Sequence, residues 1–169
     1  MMLAPQPQLT TLHRYYSTGM RGVAQTLGIM RAMVRAGRID PRIRQTATSI
    51  LFMLESSDRI EAEKLLEFVQ NSIRYVKDVH DVETISTPEK TLLGRIGDCD
   101  DQATLLAALY ESVGYPTRFV VAAYQVKRVM EHVYLQVLVN GEWLDADPTE
   151  RYPLGWAPPG ALSIFTERI

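Results

Sequence analysis

Apolar residues in the first half of the chain recur at the spacing of an α-helix. The first such stripe predicts a helix that stops at Gly37, because glycine commonly follows the last turn of a helix. The residues of this stripe are Val23, Leu27, Met30 and Val34.

Two more helices are predicted directly after the first. Asp40 and Pro41 suit the cap and first position of a second helix, and Asp58 with Glu61 matches the capping box that opens a third. The expected inward residues are Ile43, Ala47, Ile50, Leu51 and Leu54 in the second helix, and Leu65, Leu66, Val69, Ile73 and Val76 in the third.

A fourth helix is predicted to begin at the sequence Gly-Asp-Cys-Asp-Asp, residues 97–101, after a loop that holds Thr87 and Pro88. Asp98 suits the cap, and Gly114 follows the end of the helix. Cys99 then shares one helical face with Ala103, Leu106 and Tyr110.

The pattern changes to strands beyond Gly114. Residues 117–124, 131–139 and 142–147 are rich in β-formers, and Asn140-Gly141 is a strong hairpin signal between the last two. The proline and glycine content from Pro148 onward predicts an extended arm without regular structure. The predicted fold class is therefore α+β, with a helix packed on an antiparallel sheet.

This organisation predicts one domain over residues 1–169. Its parts are a helical N-terminal extension over 1–57, a helix–sheet core over 58–150, and a Pro/Gly-rich C-terminal arm over 151–169.

Composition narrows the class of protein. The chain is 46% hydrophobic and 22% charged, as in ordinary soluble proteins, and no apolar run reaches the roughly 20 residues of a membrane span. We expect a cytoplasmic protein with no membrane partner, since the first residues lack a signal-peptide pattern. The single cysteine excludes an internal disulfide, and with three histidines it argues against a zinc site, so no metal or cofactor is expected.

Charge is unevenly distributed. Residues 1–50 carry seven arginines against one aspartate, while the remainder has a net charge of −8. Solvated helix faces explain this better than a docking surface, although a protein partner at the basic helices or the C-terminal arm stays open. Nucleic acid is not expected as a partner, because no aromatic or glycine-rich nucleic-acid motif accompanies the arginines.

Cys99 is the first candidate for chemistry. The free N–H groups and the dipole at a helix start favour a thiolate, and this position is expected to activate the sulfur. Asp98, Asp100 and Asp101 oppose that effect with negative charge. We expect Asp98 and Asp101 to point outward, as capping and solvent groups.

His132 and Asp147 are the candidates that complete a site with Cys99. His132 lies on the strand face opposite the alternating valines, with Tyr134 and Gln136. A turn centred between residues 140 and 141 pairs residue 132 with about 149, so Asp147 should be its neighbour. Asp145 is expected to be a surface or turn group.

Each of these three residues alone has a structural explanation: a buried thiol, a strand histidine and an aspartate in a turn. Their order and their placement at helix and hairpin boundaries favour catalysis. In such a triad the imidazole deprotonates the thiol, and the carboxylate orients the ring and stabilises its cation.

The segments Gly-Asp-Cys-Asp-Asp, Gly-Tyr-Pro-Thr-Arg-Phe-Val, His-Val and Gly-Glu-Trp-Leu-Asp-Ala-Asp-Pro-Thr resemble the transglutaminase-like core of papain-like cysteine enzymes over about residues 65–150. The whole chain also resembles small proteins of this type from bacterial and prophage gene sets. The resemblance implies Cys99 as nucleophile, His132 as general base and acid, and Asp147 as the orienting carboxylate. Ser86 stands where relatives often have a glutamine that could stabilise the oxyanion, which leaves the Cys99 backbone N–H as the best donor.

The leading functional hypothesis is thiol-dependent acyl transfer on a peptide or protein amide, through a thioester, with hydrolysis as the default outcome. The alternative is a non-catalytic assembly or protein-binding module with a vestigial triad. Metal binding through Cys99, His132 and the aspartates is the weakest hypothesis, because carboxylates with one thiolate match no common zinc site.

Overall fold

The computed structural model describes residues 11–14, 20–52, 57–77, 83–126 and 131–169. Leu54, the last residue of the predicted second stripe, lies outside them. The helices within these ranges are α1 (Met20–Gly37), α2 (Pro41–Leu51), α3 (Asp58–Ser72), α4 (Pro88–Gly94) and α5 (Cys99–Ser112).

The strands of the described residues form three sheets. Their bounds are β1 (Thr11–Arg14), β2 (Arg74–Tyr75), β3 (Glu83–Ser86), β4 (Ile96–Gly97), β5 (Thr117–Ala123), β6 (His132–Val139), β7 (Glu142–Ala146) and β8 (Ser163–Arg168). The main sheet is antiparallel, in the order β7-β6-β5-β8, while β1 pairs with β3 and β2 pairs in parallel with β4. The predicted α+β class is confirmed.

Helix α5 is the centre of the core. Every residue from Asp101 to Tyr110 is buried, because helices α1 to α4 and strands β5 and β6 pack against α5. The Tyr110 hydroxyl is buried as well, and it donates a hydrogen bond to the Ala62 carbonyl of α3 at 2.8 Å. A helix enclosed in this way holds its first residue, Cys99, in a fixed place.

The start of α2 follows the sequence signals. The Asp40 carboxylate accepts from the backbone N–H groups of Arg42 at 2.8 Å and Ile43 at 3.3 Å, and Pro41 occupies the first turn. The apolar stripe of α1 is also confirmed, since Leu27, Met30 and Val34 are buried and Val23 packs against the core.

The predicted opening of α3 is wrong in detail. Its cap is Ser57, whose carbonyl accepts from the N–H groups of Ile60 and Glu61, so Asp58 is already inside the helix and forms no capping box. The predicted inward position of Val76 is also wrong. Because α3 ends at Ser72, Val76 falls beyond β2 and is 41% exposed.

The predicted loop around Thr87 and Pro88 is a helix start. Thr87 caps α4 by accepting from the Lys90 N–H at 3.3 Å, and Pro88 takes the first helical position. This is the same signal as Asp40-Pro41. Seven residues are too few for an apolar period to reveal the helix in the sequence.

The β6–β7 hairpin has the predicted turn. Asn140 and Gly141 have φ of 51° and 84°, both in the left-handed region that a tight hairpin turn requires. Leu135 pairs with Ala146, and continuing that register places residue 132 opposite 149, as expected.

The C-terminal arm contains regular structure, contrary to expectation. Strand β8 pairs with β5 and completes the main sheet. Before it, Ala157 and Ala161 pack on Val120, Ala122 and Tyr134 on the sheet face opposite α5. The proline and glycine content of the whole tail hid a short run of β-formers that begins after Gly160.

Part of the charge asymmetry is satisfied within the fold. Arg31 of α1 pairs with a glutamate of β8, and two further arginines of the basic segment pair with glutamates of α4 and α5. The three pairs are Arg31–Glu167 at 2.6 Å, Arg38–Glu111 at 3.3 Å and Arg42–Glu89 at 3.1 Å.

Candidate active site

Cys99 is the first residue of α5, as the cap signal predicts. The Asp98 side chain accepts from the Asp101 N–H at 3.3 Å, which starts the helix immediately before the thiol. The buried Gln102 amide donates to the Gly97 carbonyl at 3.1 Å and fixes the turn that leads into Cys99. Local capping and a buried amide together set the position of the sulfur.

Asp101 does not face solvent, which corrects the expectation for this residue. It is only 6% exposed, and its carboxylate accepts from the Ser86 N–H at 2.7 Å. The contact ties the end of β3 to the first turn of α5. A buried carboxylate needs such a donor to offset its loss of water, and no sequence pattern places Ser86 beside Asp101.

The thiol of Cys99 is held in its neutral form. Burial raises the pKa of Cys99 well above its usual range, and the negative charges of Asp100 and Asp98 raise it further. The sulfur donates a hydrogen bond to Asp100 Oδ1 at 3.5 Å, while the backbone N–H of Val133 faces the sulfur and acts in the opposite direction. The expected activation of sulfur by the helix start is therefore outweighed by burial and carboxylates.

His132 and Asp147 meet directly. His132 Nε2 lies 2.7 Å from Asp147 Oδ2, with the Asp147 side chain 1% exposed and that of His132 18% exposed. The other carboxylate oxygen accepts from the Thr149 N–H at 2.9 Å and hydroxyl at 2.8 Å. Since the Asp147 carboxylate accepts from Nε2–H, the imidazole presents Nδ1 as its free nitrogen.

The imidazole ring is also supported from β6 itself. The Tyr134 ring stacks on His132 with centroids 5.9 Å apart and planes 21° apart. Tyr134 is buried, and its hydroxyl hydrogen bonds to Asp145, which raises the pKa of Tyr134 after the larger effect of burial. This packing restricts rotation of the imidazole.

Asp145 is not a turn group. It lies within β7 and accepts from Gln136 Nε2 at 2.8 Å, while Gln136 in turn accepts from Arg118 Nε at 2.7 Å. Asp145 thus belongs to a polar row across the outer face of the sheet, and Tyr134, which hydrogen bonds to Asp145, stacks on the His132 ring.

Two of the three predicted residues contact each other at the start of β6, and the third contacts the backbone of the next residue. The structure joins His132 to Asp147 and brings the Cys99 sulfur to the backbone of Val133, the residue that follows His132. Sequence reasoning missed the contribution of Thr149 to the Asp147 carboxylate. The Asp-Pro-Thr sequence was a usable signal, because an aspartate often accepts from the backbone N–H two residues on.

The described parts of the chain contain neither a candidate metal site nor a candidate membrane-spanning helix. Within residues 11–14, 20–52, 57–77, 83–126 and 131–169, no group of three or more His, Cys, Asp or Glu side chains is arranged to hold a metal ion. None of the helices in these ranges is long and apolar enough to cross a membrane.

A cysteine at the start of a buried helix, packed beside an antiparallel sheet that carries a histidine–carboxylate pair, is the arrangement of papain-like folds. The sequence agrees with this class. Residues 45–148, more than half of the chain, match the family model of the transglutaminase-like superfamily core, and the chain belongs to that superfamily.

Solved structures show the same fold at low sequence identity. A candidate cysteine protease from Cytophaga hutchinsonii is 17% identical, with a TM-score of 0.53, and the match covers 76% of this chain and 48% of that one. A candidate protease from Parabacteroides distasonis is 10% identical, with a TM-score of 0.55, over 76% of this chain and 26% of that one. Calcium-bound LapG from Legionella pneumophila is 19% identical, with a TM-score of 0.50, over 86% and 74%.

The chain thus spans about half the length of the Cytophaga protein and a quarter of the Parabacteroides protein. No curated protein matches the chain. Because these sequence identities are below 20%, the solved structures establish the fold alone, and the superfamily rests on the family model.

Proposed function

We propose that the protein catalyses thiol-dependent acyl transfer on a peptide or protein amide, with Cys99, His132 and Asp147 as its triad. The observation that carries this proposal is the 2.7 Å contact between His132 Nε2 and the buried Asp147 carboxylate, beside a thiol at a helix start. A buried carboxylate that orients an imidazole next to a cysteine is the arrangement that acyl transfer requires.

In the proposed mechanism His132 Nδ1 takes the thiol proton as the sulfur attacks the substrate carbonyl carbon. The new C–S bond forms a tetrahedral oxyanion, which the backbone N–H of Cys99 at the open helix start stabilises. His132 then returns the proton to the departing amine, the C–N bond breaks and a thioester remains. Asp147 stabilises the imidazolium between the two transfers.

The raised pKa of Cys99 decides one feature of this mechanism. A thiol that is neutral before the reaction must lose its proton during attack, so His132 acts as a general base on a thiol. Asp100, which accepts a hydrogen bond from the thiol, has to release it when His132 takes the proton. Substrate entry beside the sulfur is the event that we expect to change this contact.

Water is the proposed acceptor of the acyl group, which makes the reaction a hydrolysis. Transamidation needs a second amine beside the thioester, and the described residues around the site do not suggest an amine subsite. The fold neighbours named as candidate proteases agree with the choice of a peptide substrate.

One observation favours a second candidate, a non-catalytic module with a vestigial triad. Burial and two carboxylates hold the Cys99 thiol neutral, whereas an active cysteine is commonly stabilised as a thiolate. The acylation experiment described next distinguishes an acyl-transfer enzyme from a non-catalytic module.

The experiment is acylation of the protein with p-nitrophenyl acetate, followed by nitrophenolate absorbance and intact mass. We expect one acetyl group on Cys99, formed at least about 100-fold faster in the unchanged protein than in His132→Ala, since the base is then lost. Decay of the acetyl-protein in water, compared with decay in added glycine methyl ester, distinguishes hydrolysis from transamidation.

Cys99→Ser is the control for labelling elsewhere in the chain. If acetylation of Cys99 is equally fast with and without His132, the acyl-transfer proposal fails and the module is favoured. Circular dichroism of each variant verifies that the fold is retained.

A further inference from the structure

Gln70 of α3 makes an unusual set of contacts with the segment that carries Asp147. Its side-chain NH2 group, which carries two hydrogens, lies within hydrogen-bond distance of three backbone carbonyl oxygens: those of Asp147 at 3.0 Å, Glu150 at 2.6 Å and Tyr152 at 2.9 Å. One amide group therefore gathers both the start and the middle of the segment that follows β7.

The orientation of the Gln70 amide follows from chemistry. All three partners are carbonyl oxygens, so only the NH2 end can face them, and a flipped amide would set an oxygen against three acceptors. Glutamate at this position would meet the same repulsion with added charge. The site thus favours a hydrogen-bond donor and disfavours an acceptor or an anion.

Asp147 depends on such a contact because the main sheet ends one residue before it. Strand β7 stops at Ala146, whose pairing with Leu135 is the last on this side of the hairpin. The carboxylate is held by Thr149, a residue of the same segment. Gln70 is the side chain that attaches the Asp147 backbone to a helix anchored in the core through Leu66 and Val69.

Two other residues on the same edge of α3 hold the chain farther along. Glu63 accepts from the Leu154 N–H at 3.1 Å, and Arg59 donates to the Leu154 carbonyl at 3.4 Å. These contacts secure the segment seven residues beyond Asp147 and do not touch Asp147 itself. They offer a matched comparison for Gln70.

We propose that Gln70 is a positioning residue, which sets the Asp147 carboxylate against His132 by holding the 147–152 backbone to α3. As a contribution to catalysis this inference rests on the proposed function. The contact between His132 and Asp147 that it explains is measurable without any substrate.

The test compares Gln70→Leu with Glu63→Leu. Leucine is as good a helix former as either residue, so α3 is retained while the contacts to the segment are lost at 147–152 or at 154. The first readout is the proton NMR signal of the His132 Nε2–H in protein labelled with 15N-histidine, assigned by its absence in His132→Ala. The second is the rate of Cys99 acetylation by p-nitrophenyl acetate.

We expect Gln70→Leu to shift or broaden the His132 signal and to lower the acetylation rate at least about tenfold, because a displaced carboxylate weakens a charge-assisted hydrogen bond. Glu63→Leu should preserve the signal and keep the rate within about twofold, since Asp147 keeps its own anchor. Gln70→Glu should behave as Gln70→Leu, and it carries the test if the leucine variant does not fold.

An unchanged signal in Gln70→Leu, or equal changes in Gln70→Leu and Glu63→Leu, would overturn the inference. The failure of the proposed function has a different signature. If the proposed function is wrong, the unchanged protein and His132→Ala are acetylated at equal rates. The NMR comparison of the Gln70 and Glu63 variants still decides whether Gln70 positions Asp147.

Discussion

The two sides of the candidate site differ in how completely their polar groups are satisfied. On the sheet side, the Asp147 carboxylate accepts from His132 and twice from Thr149, and the imidazole stacks on Tyr134. On the helix side, the thiol is partly buried beside Asp100 and Asp98, which both oppose its ionisation. The proposed base is therefore held in place by hydrogen bonds, while the proposed nucleophile is held neutral.

In the proposed reaction, this difference indicates that a substrate has to change the helix side of the site. Groups preorganised by hydrogen bonds need little rearrangement in the reaction. The thiol, in contrast, must lose its contact with Asp100 and its proton together. A resting thiol of this kind is protected from oxidation and alkylation, because the thiolate is the reactive species.

Asp147→Asn is expected to have the largest effect on the sheet side. The carboxylate accepts from three donors, and an amide in its place would set its own NH2 against one of them, so the imidazole loses its orientation. We expect acetylation of Cys99 to slow by roughly 100-fold or more, as monitored by nitrophenolate release.

The matched control is Asp145→Asn on the same strand edge, which leaves the His132 contact in place. Its rate should stay within about threefold of the unchanged protein, in keeping with an effect through Tyr134 only. If both variants lose acetylation rate equally, Asp147 is not the specific orienting carboxylate.

Asp100→Asn tests the helix side and should raise reactivity instead. The charge of Asp100 raises the pKa of Cys99, so its removal lowers that pKa and increases the thiolate fraction at a given pH. Alkylation by iodoacetamide should rise with pH in both proteins, and the curve of Asp100→Asn should be displaced to lower pH, with rates at least about tenfold higher below the midpoint. Intact mass after timed quenching measures these rates.

Asp58→Asn is the control for this comparison, because Asp58 is also an acidic residue in the first turn of a helix but belongs to α3. Its alkylation curve should coincide with that of the unchanged protein. If both variants shift the curve equally, net charge rather than the Asp100 contact controls the thiol.

Thr149→Val should have the smallest effect. It removes the hydroxyl that donates to Asp147 Oδ1 at 2.8 Å but keeps the backbone N–H that donates at 2.9 Å, so the carboxylate retains most of its support. We expect a loss of about 1 kcal/mol in the free energy of unfolding and a few-fold slower acetylation. Urea unfolding and nitrophenolate release measure the two quantities, and a loss as large as that of Asp147→Asn would contradict the shared support.

Much of the fold was predictable because it rests on local signals. The cap at Asp40-Pro41, the start of α5 at Asp98 and the turn at Asn140-Gly141 depend on backbone geometry within a few residues. The alternation along β6 and the hairpin register then indicated His132 and Asp147 as neighbours. Helix α4 and strand β8 were missed, because short elements in mixed sequence leave little periodicity.

The sequence by itself determined which residues carry thiol, imidazole and carboxylate, and the helix start and hairpin that present them. Only the tertiary structure decided their electrostatic state and their support. Burial of the thiol is one such feature. Two others are contacts between distant residues: Asp101 with Ser86, 15 positions apart, and Gln70 with backbone carbonyl oxygens up to 82 positions away. These features depend on desolvation and on backbone N–H and C=O groups, which every residue except proline carries in full. Neither desolvation nor backbone hydrogen bonding leaves a recognisable pattern in the amino-acid sequence.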